Sequence, residues 1–241
     1  MSDCLKLSMW SGPRNVSTAL MYSFRQRSDT VVVDEPLYGH YLKTTGADHP
    51  GDEEVMEQMD CDGERVVREV ILGPCERSVH FYKNMAHHLT GLDRGFLSRI
   101  TSVLLIRDPE QVLTSLIRQI PNPTLRDTGL AEQVDILESA LDHGRDPVVL
   151  DAKELLLDPP GVLREACERL GLPFEEDMLR WPAGPKPEDG IWAKHWYENV
   201  HASTGFGAYR PKAEPLPERL RPLLEECAPL YERLLEHAIR A

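Results

Sequence analysis

Residues 5–18 read LKLSMW followed by SGPRNVST, and this segment determines the class of fold. An apolar run of strand length leads into a loop of small and polar residues, and a helical pattern begins at Ser17. At such a strand–loop–helix junction, unpaired backbone N–H groups and the positive end of the helix dipole converge. The hydroxyls of Ser17 and Thr18 and the guanidinium of Arg14 add side-chain donors. The segment predicts a βα unit whose loop binds an anion, although a plain βα turn fits it equally well.

Short apolar or β-branched runs alternate with helical patterns along the rest of the chain. The predicted strands are Leu5–Trp10, Thr30–Asp34, Val79–Lys83, Ser102–Ile106 and Pro147–Asp151. The predicted helices are Ser17–Gln26, Thr90–Ser98, Pro109–Gln119, Leu130–His143, Gly161–Leu170 and Pro217–Ile239. This alternation is typical of βαβ units, which build a central parallel sheet flanked by helices. We therefore predict an α/β fold that binds its ligand at the carboxyl ends of the strands.

The length and composition indicate one folded domain, which we assign to residues 1–241, with insertions at 44–77 and 119–129. The net charge of −13 argues against nucleic acid or an anionic membrane surface as the main partner. The longest apolar runs, such as 103–106, are far too short to span a membrane. The N-terminus lacks the pattern of a signal peptide, so we expect a cytoplasmic protein. An anionic ligand would then need a local basic site.

The five cysteines are scattered, and no two form a C-x-x-C pair. They are Cys4, Cys61, Cys75, Cys167 and Cys227. An odd number of cysteines without a signal peptide indicates free thiols in a reducing compartment. We therefore expect neither a disulfide framework nor a metal site.

The loop after the first strand is not a Walker A loop. Counting from Gly12, the second glycine and the lysine of G-x-x-x-x-G-K-[ST] are both missing. No metal-binding acid is evident after the fourth strand either. ATP hydrolysis is therefore poorly supported.

The turn after the fourth predicted strand contains an arginine that helix capping does not explain. Asp108 is a natural N-cap, Pro109 a natural first helical residue, and Gln111 completes a capping box. Arg107 precedes the cap and stands where the carboxyl end of the strand meets the ligand crevice. Ser115 follows eight residues later on the helix face that carries Gln111. The two could jointly hold a phosphate; the alternative is a surface serine and a surface ion pair.

Together these segments resemble the sulfotransferase family. The residues Pro13-Arg14-Asn15-Val16-Ser17-Thr18 are similar to its P-[KR]-S-G-T-T-like loop, which holds the donor's 5′-phosphosulfate. Arg107 with Ser115 is similar to the pair that holds the donor's 3′-phosphate, and residues 154–174 resemble a third family segment. The resemblance implies a three-layer P-loop NTPase-like fold. It also implies transfer of a sulfuryl group from 3′-phosphoadenosine 5′-phosphosulfate to a hydroxyl or amine of a small molecule, without a metal.

One residue of the loop departs from the family pattern. Val16 stands where the family usually has glycine, and a β-branched residue avoids positive φ. Either the loop keeps negative φ at Val16, or the phosphosulfate sits differently, or donor binding is lost.

The catalytic candidates follow the second and third strands. Lys83 resembles the family lysine that contacts the bridging oxygen, the alternative being a surface lysine whose stem packs along the protein. Glu35, at the ligand edge, resembles the base of some bacterial relatives. Met85 stands where cytosolic relatives have a histidine base, so His88 and His87 rank behind Glu35. If helical, those adjacent histidines cannot both face the cleft.

A C-terminal segment rich in small residues and donors is a candidate for the rest of the site; it is equally compatible with a solvated linker. By resemblance, its candidates for donor binding are Ser203, Thr204, Gly205 and Arg210. Three aromatic residues, Trp192, Trp196 and Tyr197, could shape an acceptor pocket, although such residues more often pack in a core.

Two other functions remain open on the sequence alone. A non-catalytic nucleotide- or anion-binding relative would explain Val16 and Met85. An ATP-dependent P-loop kinase is less well supported, because the P-loop lysine is absent. The sequence identifies neither the acceptor nor the oligomeric state, and a homo-oligomer is among the states it allows.

Overall fold

The computed structural model describes residues 4–211 and 214–241. Its strands are β1 Leu5–Ser11, β2 Thr30–Asp34, β3 Val79–Met85, β4 Thr101–Ile106, β5 Val148–Asp151 and β6 Ala238–Ile239. Its α-helices are α1 Ser17–Arg25, α2 Tyr38–Thr45, α3 Asp52–Gln58, α4 Gly63–Val66, α5 Pro109–Leu116, α6 Leu125–Thr128, α7 Leu130–Asp142, α8 Ala152–Leu157, α9 Pro159–Arg169, α10 Ala193–Trp196, α11 Glu198–His201 and α12 Arg221–Leu235. Short 3-10 turns lie at Ala86–Leu89, Arg94–Arg99, Glu176–Leu179 and Glu218–Leu220, and a π-helical turn at Val67–Ile71.

The six strands form one sheet in the order β2-β3-β1-β4-β5-β6, and every neighbouring pair is parallel. β1 is central, with Met9 opposite both Lys83 of β3 and Val103 of β4. The ends of β1, β2, β3 and β4 therefore meet along one edge of the sheet, so the residues that follow these strands lie close together.

Helices cover both faces of the sheet. Side chains alternate across a strand, and in β4 Val103 and Leu105 join one apolar cluster while Leu104 and Ile106 join another. The first cluster also contains the buried residues of α1 and α9, and the second contains those of α7 and α12. This three-layer arrangement confirms the predicted fold class and its parallel sheet.

The structure corrects two of the predicted helices. Residues 90–98 do not form an α-helix; 3-10 turns at Ala86–Leu89 and Arg94–Arg99 bracket a loop instead. The last predicted helix ends at Leu235, and the chain then adds β6, a two-residue edge strand too short to give a sequence pattern. Residues 44–77 contain α3, α4 and the π-helical turn, which pack local apolar side chains such as Val55 and Ile71.

The expectation that all cysteines are free thiols is wrong. Cys4 and Cys75 form a disulfide that joins residues 71 positions apart. Leu5 lies opposite Val79 in the sheet, so the pairing of β1 with β3 brings the segments before both strands together. Spacing along the sequence could not reveal this pairing. Cys61, Cys167 and Cys227 are free. The cytoplasmic location stays a prediction, and the disulfide is the observation that speaks against it.

Within the described residues, no helix combines the length and the apolar character needed to cross a membrane.

Candidate functional site

A cavity of about 510 Å³ opens at the carboxyl edge of the sheet. It collects the candidates that follow four different strands: Pro13, Arg14, Asn15, Val16, Ser17, Thr18, Glu35, Lys83, His87, His88, Arg107 and Ser115. Ser203 and Gly205 of the C-terminal segment also line it. Thr204 and Arg210 do not line it and are exposed.

The loop after β1 places its positive φ at Arg14, where φ is 55°. Val16 keeps a negative φ of −94° and forms the N-cap of α1. The side chain of Asn15 holds the turn, because its Oδ1 accepts from the N–H of Val16 at 2.8 Å and its Nδ2 donates to the carbonyl of Leu105 at 3.0 Å. Of the three options for Val16, the loop therefore adopts the one with negative φ. A left-handed non-glycine residue costs roughly 1–3 kcal/mol and is common at functional sites.

Two arginines meet across this loop. Arg14 Nε donates to Ser115 Oγ at 2.9 Å, and Arg107 Nη1 donates to the backbone carbonyl of Arg14 at 2.6 Å. Neither arginine forms a salt bridge with a carboxylate in residues 4–211 or 214–241. Burial lowers the pKa of both guanidinium groups, yet arginine stays charged at any ordinary pH. The arrangement leaves two partly buried cations without a counter-ion among the residues that the structure describes.

The helix that carries Ser115 is capped differently from the prediction. Asp108 accepts from the N–H of Gln111 at 3.2 Å, as expected of an N-cap. The side chain of Gln111 does not complete a capping box. Its Oε1 instead accepts from Arg107 Nη2 at 3.2 Å, and its Nε2 donates to the hydroxyl of Tyr209 at 2.7 Å. Gln111 therefore orients Arg107 rather than the start of the helix.

A buried ionic cluster lies at the ends of β2 and β3. The ammonium of Lys83, 1% exposed, donates to Asp34 Oδ1 at 2.9 Å, to the hydroxyl of Tyr197 at 2.7 Å and to Glu35 Oε1. The hydroxyl of Tyr197 in turn donates to the carboxylate of Asp34, and Trp192 Nε1 donates to that hydroxyl at 3.2 Å. Lys83 is therefore not a surface residue, and we call these four residues, Asp34, Glu35, Lys83 and Tyr197, the lysine cluster.

Burial and neighbouring charges in the lysine cluster shift the pKa of Glu35 and of Lys83. Burial raises the pKa of Glu35 above its ordinary value, although the nearby ammonium of Lys83 opposes the shift. Burial works against the charge on Lys83, but the carboxylates of Asp34 and Glu35 outweigh it and raise the pKa of Lys83 well above its usual value. Glu35 also has φ of 42°, and its N–H donates to the carbonyl of Lys83 at 2.7 Å. The backbone thereby fixes Glu35 against β3.

Aromatic rings cover another part of the cavity. We call them the aromatic wall, and its members are Tyr38, Tyr41, His49, His87, His88, Trp192 and Trp196. Each ring lies within 6.2 Å of another, measured between centroids, and the ring of Tyr38 stacks on His88 at 5.1 Å. His88 Nε2 lies 3.9 Å from Glu35 Oε2. The wall is therefore continuous with the lysine cluster.

The two adjacent histidines both line the cavity, contrary to the expectation for a helix. They lie on a single 3-10 turn, which follows β3 directly, and their rings are perpendicular with centroids 4.8 Å apart. Burial lowers the pKa of His87 to about 3 and that of His88 well below its ordinary value, so both imidazoles are neutral. The Nδ1 atoms of both rings are buried without a hydrogen-bond partner in the described part of the chain.

The C-terminal candidates contribute less than predicted. Ser203 Oγ accepts from Trp181 Nε1 at 3.1 Å and donates to the carbonyl of Val200 at 2.7 Å, so its hydroxyl is already engaged. Gly205 pairs with Arg180 in an isolated antiparallel bridge. The neighbouring Thr204 lines a separate surface pocket.

Several members of the site carry no distinctive sequence signal. The sequence indicates Asp34 only as the end of a strand and Tyr197 only as an aromatic residue, whereas both are hydrogen-bonded to Lys83. Tyr41, His49 and Asp127 line the cavity without any motif around them. No group of His, Cys, Asp and Glu side chains that could hold a metal ion occurs among the described residues.

Comparison with known proteins shows which family the chain resembles. A model described as a sulfotransferase domain matches residues 5–238. Two Arabidopsis thaliana proteins, branched-chain-amino-acid aminotransferase-like proteins 2 and 1, are 43% and 44% identical over 229 and 238 residues. These alignments cover 95% and 98% of this chain but 41% and 43% of the relatives, so the chain spans less than half the length of either.

Two solved structures share the fold. A sulfotransferase from Alicyclobacillus acidocaldarius has a TM-score of 0.58 and 16% identity, with 98% of this chain and 96% of that chain covered. The sulfotransferase domain of the Synechococcus PCC 7002 olefin synthase has a TM-score of 0.50 and 19% identity, with 94% and 95% covered. Because the family model matches nearly the whole sequence and these structures have the same fold, the chain belongs to the sulfotransferase domain family.

Proposed function

We propose that this chain is a sulfotransferase that uses 3′-phosphoadenosine 5′-phosphosulfate and sulfates a hydroxyl or amine of a small-molecule acceptor. The observation that carries the proposal is the pairing of two features in one cavity. Arg14 and Arg107, which form no salt bridge with a carboxylate of the described residues, supply a place for an anionic donor. The lysine cluster supplies a carboxylate and an ammonium for proton transfer and charge stabilisation.

The loop after β1 fits the donor's anionic groups. α1 begins without a side-chain hydrogen bond from its N-cap residue, so its first N–H groups are available to the 5′-phosphosulfate. The guanidinium of Arg14 lies beside them. Arg107 and Ser115 would hold the 3′-phosphate, with Arg14 joining the two halves of the site through its bonds to both residues.

Glu35 is the base in this proposal. When bound, the donor supplies a sulfuryl group, whose sulfur bonds to the acceptor oxygen as its bond to the 5′-phosphate oxygen breaks. Glu35 lies at the cavity surface and takes the proton of the acceptor hydroxyl. A carboxylate whose pKa is raised by burial is a stronger base than an ordinary glutamate, which suits this task.

Lys83 couples this proton transfer to the leaving group. An ammonium has three protons, and those of Lys83 are engaged by Asp34, Glu35 and Tyr197. The proton that Glu35 takes from the acceptor neutralises its carboxylate and weakens its hold on Lys83. One N–H of Lys83 then becomes free to donate to the departing phosphate oxygen, where negative charge develops.

The first test is thermal unfolding with 3′-phosphoadenosine 5′-phosphate, and with Mg·ATP as the comparison ligand. A ligand at a hundred times its Kd stabilises by about 2.7 kcal/mol. For a domain of this size that corresponds to a rise in Tm of roughly 5–10 °C. A rise with the bisphosphate alone supports the donor class, and a rise with Mg·ATP alone would favour a kinase.

A non-catalytic nucleotide-binding relative is the second candidate. It is favoured by the fact that every proton of Lys83 is engaged within the protein. The Arabidopsis relatives are named aminotransferase-like, and the matched part is a minor share of each, which fits a binding domain joined to another activity. Bisphosphate binding with no sulfated product from any acceptor, detected by mass spectrometry, would select this candidate.

A further inference from the structure

The charge of the cavity lining differs between the part around the two arginines and the rest. Five charged side chains line it: Arg14, Glu35, Lys83, Arg107 and Asp127. Arg14 and Arg107 are joined to each other at the loop after β1, residues 12–16, which we call the donor loop. The charge of Lys83 is more than balanced by Asp34 and Glu35, which both accept from its ammonium. The lining beyond the donor loop therefore carries net negative charge.

We propose that the acceptor is a primary amino alcohol, whose ammonium group binds at the aromatic wall and whose hydroxyl group faces Glu35. This inference rests on the proposed sulfotransferase function and names its acceptor class. It is supported by three independent features of the site, which are the rings, the buried imidazoles and the carboxylates.

The rings provide the first argument. An organic cation is attracted to the faces of tyrosine and tryptophan rings, and the attraction grows when the site excludes water. Tyr38, Tyr41 and Trp192 are buried, and Trp196 is half-buried. Tyr38 contacts Trp192 directly. The rings of His88 and His49 join Tyr41 and Trp196 to them, which builds a continuous surface for an alkylammonium group. A neutral alcohol would gain only the apolar part of this contact.

The imidazoles provide the second argument. His87 and His88 are 6% and 1% exposed, and the Nδ1 atom of each has no partner among the described residues. In the tautomer with its proton on Nε2, each neutral ring has Nδ1 as its hydrogen-bond acceptor. Buried polar atoms are rarely left unpaired without a reason, and a ligand with N–H donors would supply what is missing. A primary ammonium has three such donors, whereas a quaternary ammonium has none.

The carboxylates provide the third argument. Asp127 lines the cavity near the aromatic wall, and Glu35 lies 3.9 Å from His88. An acceptor with its own carboxylate would be repelled by both, whereas an ammonium is attracted. When Glu35 takes the hydroxyl proton, the ammonium remains charged and is not consumed. The sulfated product therefore carries one positive and one negative group.

The test is calorimetric binding of four matched alcohols to the full chain, with and without saturating 3′-phosphoadenosine 5′-phosphate. They are 3-aminopropan-1-ol, propane-1,3-diol, 3-hydroxypropanoate and 3-(trimethylammonio)propan-1-ol. We expect the primary amine to bind at least about tenfold more tightly than the diol, and more tightly than the other two. Equal affinity for the diol, tighter binding of the carboxylate or of the quaternary amine, or no binding of any alcohol would overturn the assignment.

Single variants test the contributions of the rings and of the Asp127 carboxylate separately. Trp196→Leu should weaken binding of the amine several-fold and leave that of the diol unchanged, whereas Phe174→Leu, at a half-buried ring outside the cavity, should change neither. Asp127→Asn should likewise weaken binding of the amine more than binding of the diol. Asp62→Asn is its control, since the carboxylate of Asp62 also accepts from a backbone N–H at the start of a helix but lies outside the cavity. Equal weakening of amine and diol would assign these residues to folding instead.

The two proposals fail in distinguishable ways. If the bisphosphate binds but the amine is not preferred, the acceptor class is wrong and the donor class stands. If the amine is preferred but the bisphosphate does not bind, the cavity is an ammonium site and the sulfotransferase proposal fails. Unchanged Tm in each variant confirms that the comparison concerns folded protein.

Discussion

The hydroxyl of Tyr197 lies 2.8 Å from Asp34 Oδ2 and 2.7 Å from the ammonium of Lys83, so that one phenol joins a strand-end carboxylate to a strand-end lysine. Tyr197 lies between the short helices α10 and α11, far along the chain from both strands. The backbone N–H of Gly190 donates to the same carboxylate at 3.1 Å. Asp34 therefore ties the segment around residues 190–197 over the lysine cluster, where it encloses the site.

Replacing this phenol should loosen Lys83 without touching the donor loop. Tyr197→Phe removes one acceptor of Lys83 and one donor to Asp34, and leaves buried charged groups with fewer partners. We expect a loss of stability of about 1–3 kcal/mol and a clear fall in kcat, with the affinity for 3′-phosphoadenosine 5′-phosphate unchanged. Chemical denaturation, product formation and calorimetry measure the three quantities.

Tyr231 offers a matched control for that variant. Its hydroxyl donates to Asp151 Oδ2 at 2.8 Å, and it lies outside the cavity. Tyr231→Phe should therefore reduce stability to a similar extent and leave kcat unchanged. If both variants lower kcat equally, the effect of Tyr197 is one of general stability.

Two substitutions of Arg14 in the donor loop should separate the effect of its charge from the effect of its backbone conformation. Arg14→Ala removes the guanidinium but keeps a side chain at φ of 55°, whereas Arg14→Gly also relieves the left-handed conformation. Both should weaken bisphosphate binding by roughly 10–100-fold, while the glycine variant is about 1 kcal/mol more stable than the alanine variant. Equal stability of the two would mean that Arg14 does not hold this conformation.

Arg107 should matter for the 3′-phosphate in particular. Arg107→Ala should weaken bisphosphate binding to a similar degree and leave any weak binding of Mg·ATP unaltered, because ATP has no 3′-phosphate. Arg219→Ala, at an exposed arginine outside the cavity, is the control for the change in net charge. Unchanged bisphosphate affinity in Arg107→Ala would remove this residue from the donor site.

The disulfide should stabilise the fold measurably. It closes a loop between residues 71 positions apart, and the entropy of such a loop corresponds to about 4 kcal/mol in the unfolded chain, as an upper figure. Reductant or the Cys4→Ser variant should therefore lower the Tm. Cys61→Ser, at a free and half-buried thiol, should leave it unchanged. An identical Tm with and without reductant would show that the bond contributes nothing.

The sequence could predict the parts of this site that follow from local rules. The strand ends, the loop after β1 and the cap at Asp108 each depend on residues close together in the chain, and the structure places Arg14, Lys83 and Arg107 in the lining of one cavity. Partners that come together only through folding could not be predicted. Tyr197 reaches Asp34 across 163 positions, and Cys4 reaches Cys75 because β1 pairs with β3.

The same distinction applies to the histidines. In a helix, His87 and His88 could not both face the site, but the tight turn after β3 lets both line the cavity. The turn is short because the chain leaves the sheet and re-enters it at β4 within 15 residues, with 3-10 turns in between. Apolar residues in this segment, such as Leu89 and Phe96, pack against the sheet and override the helical pattern.

The pH dependence of activity should identify Glu35 as the base. Burial raises the pKa of Glu35, so the carboxylate is protonated at a higher pH than an ordinary glutamate and cannot then take the acceptor's proton. We expect kcat to rise with pH through this raised pKa, and Glu35→Gln to lower kcat by two or more decades and abolish that rise, with bisphosphate affinity retained.

The free energy of unfolding should change with pH in the opposite sense. The folded state binds a proton at Glu35 that the unfolded state has already lost, so this residue's contribution falls as the pH rises between the ordinary and the raised pKa. Denaturant unfolding over that range should therefore show a decline in the wild type that is absent in Glu35→Gln. A variant with full turnover would exclude Glu35 as the base, and an identical pH profile of stability in both proteins would show that its pKa is not raised.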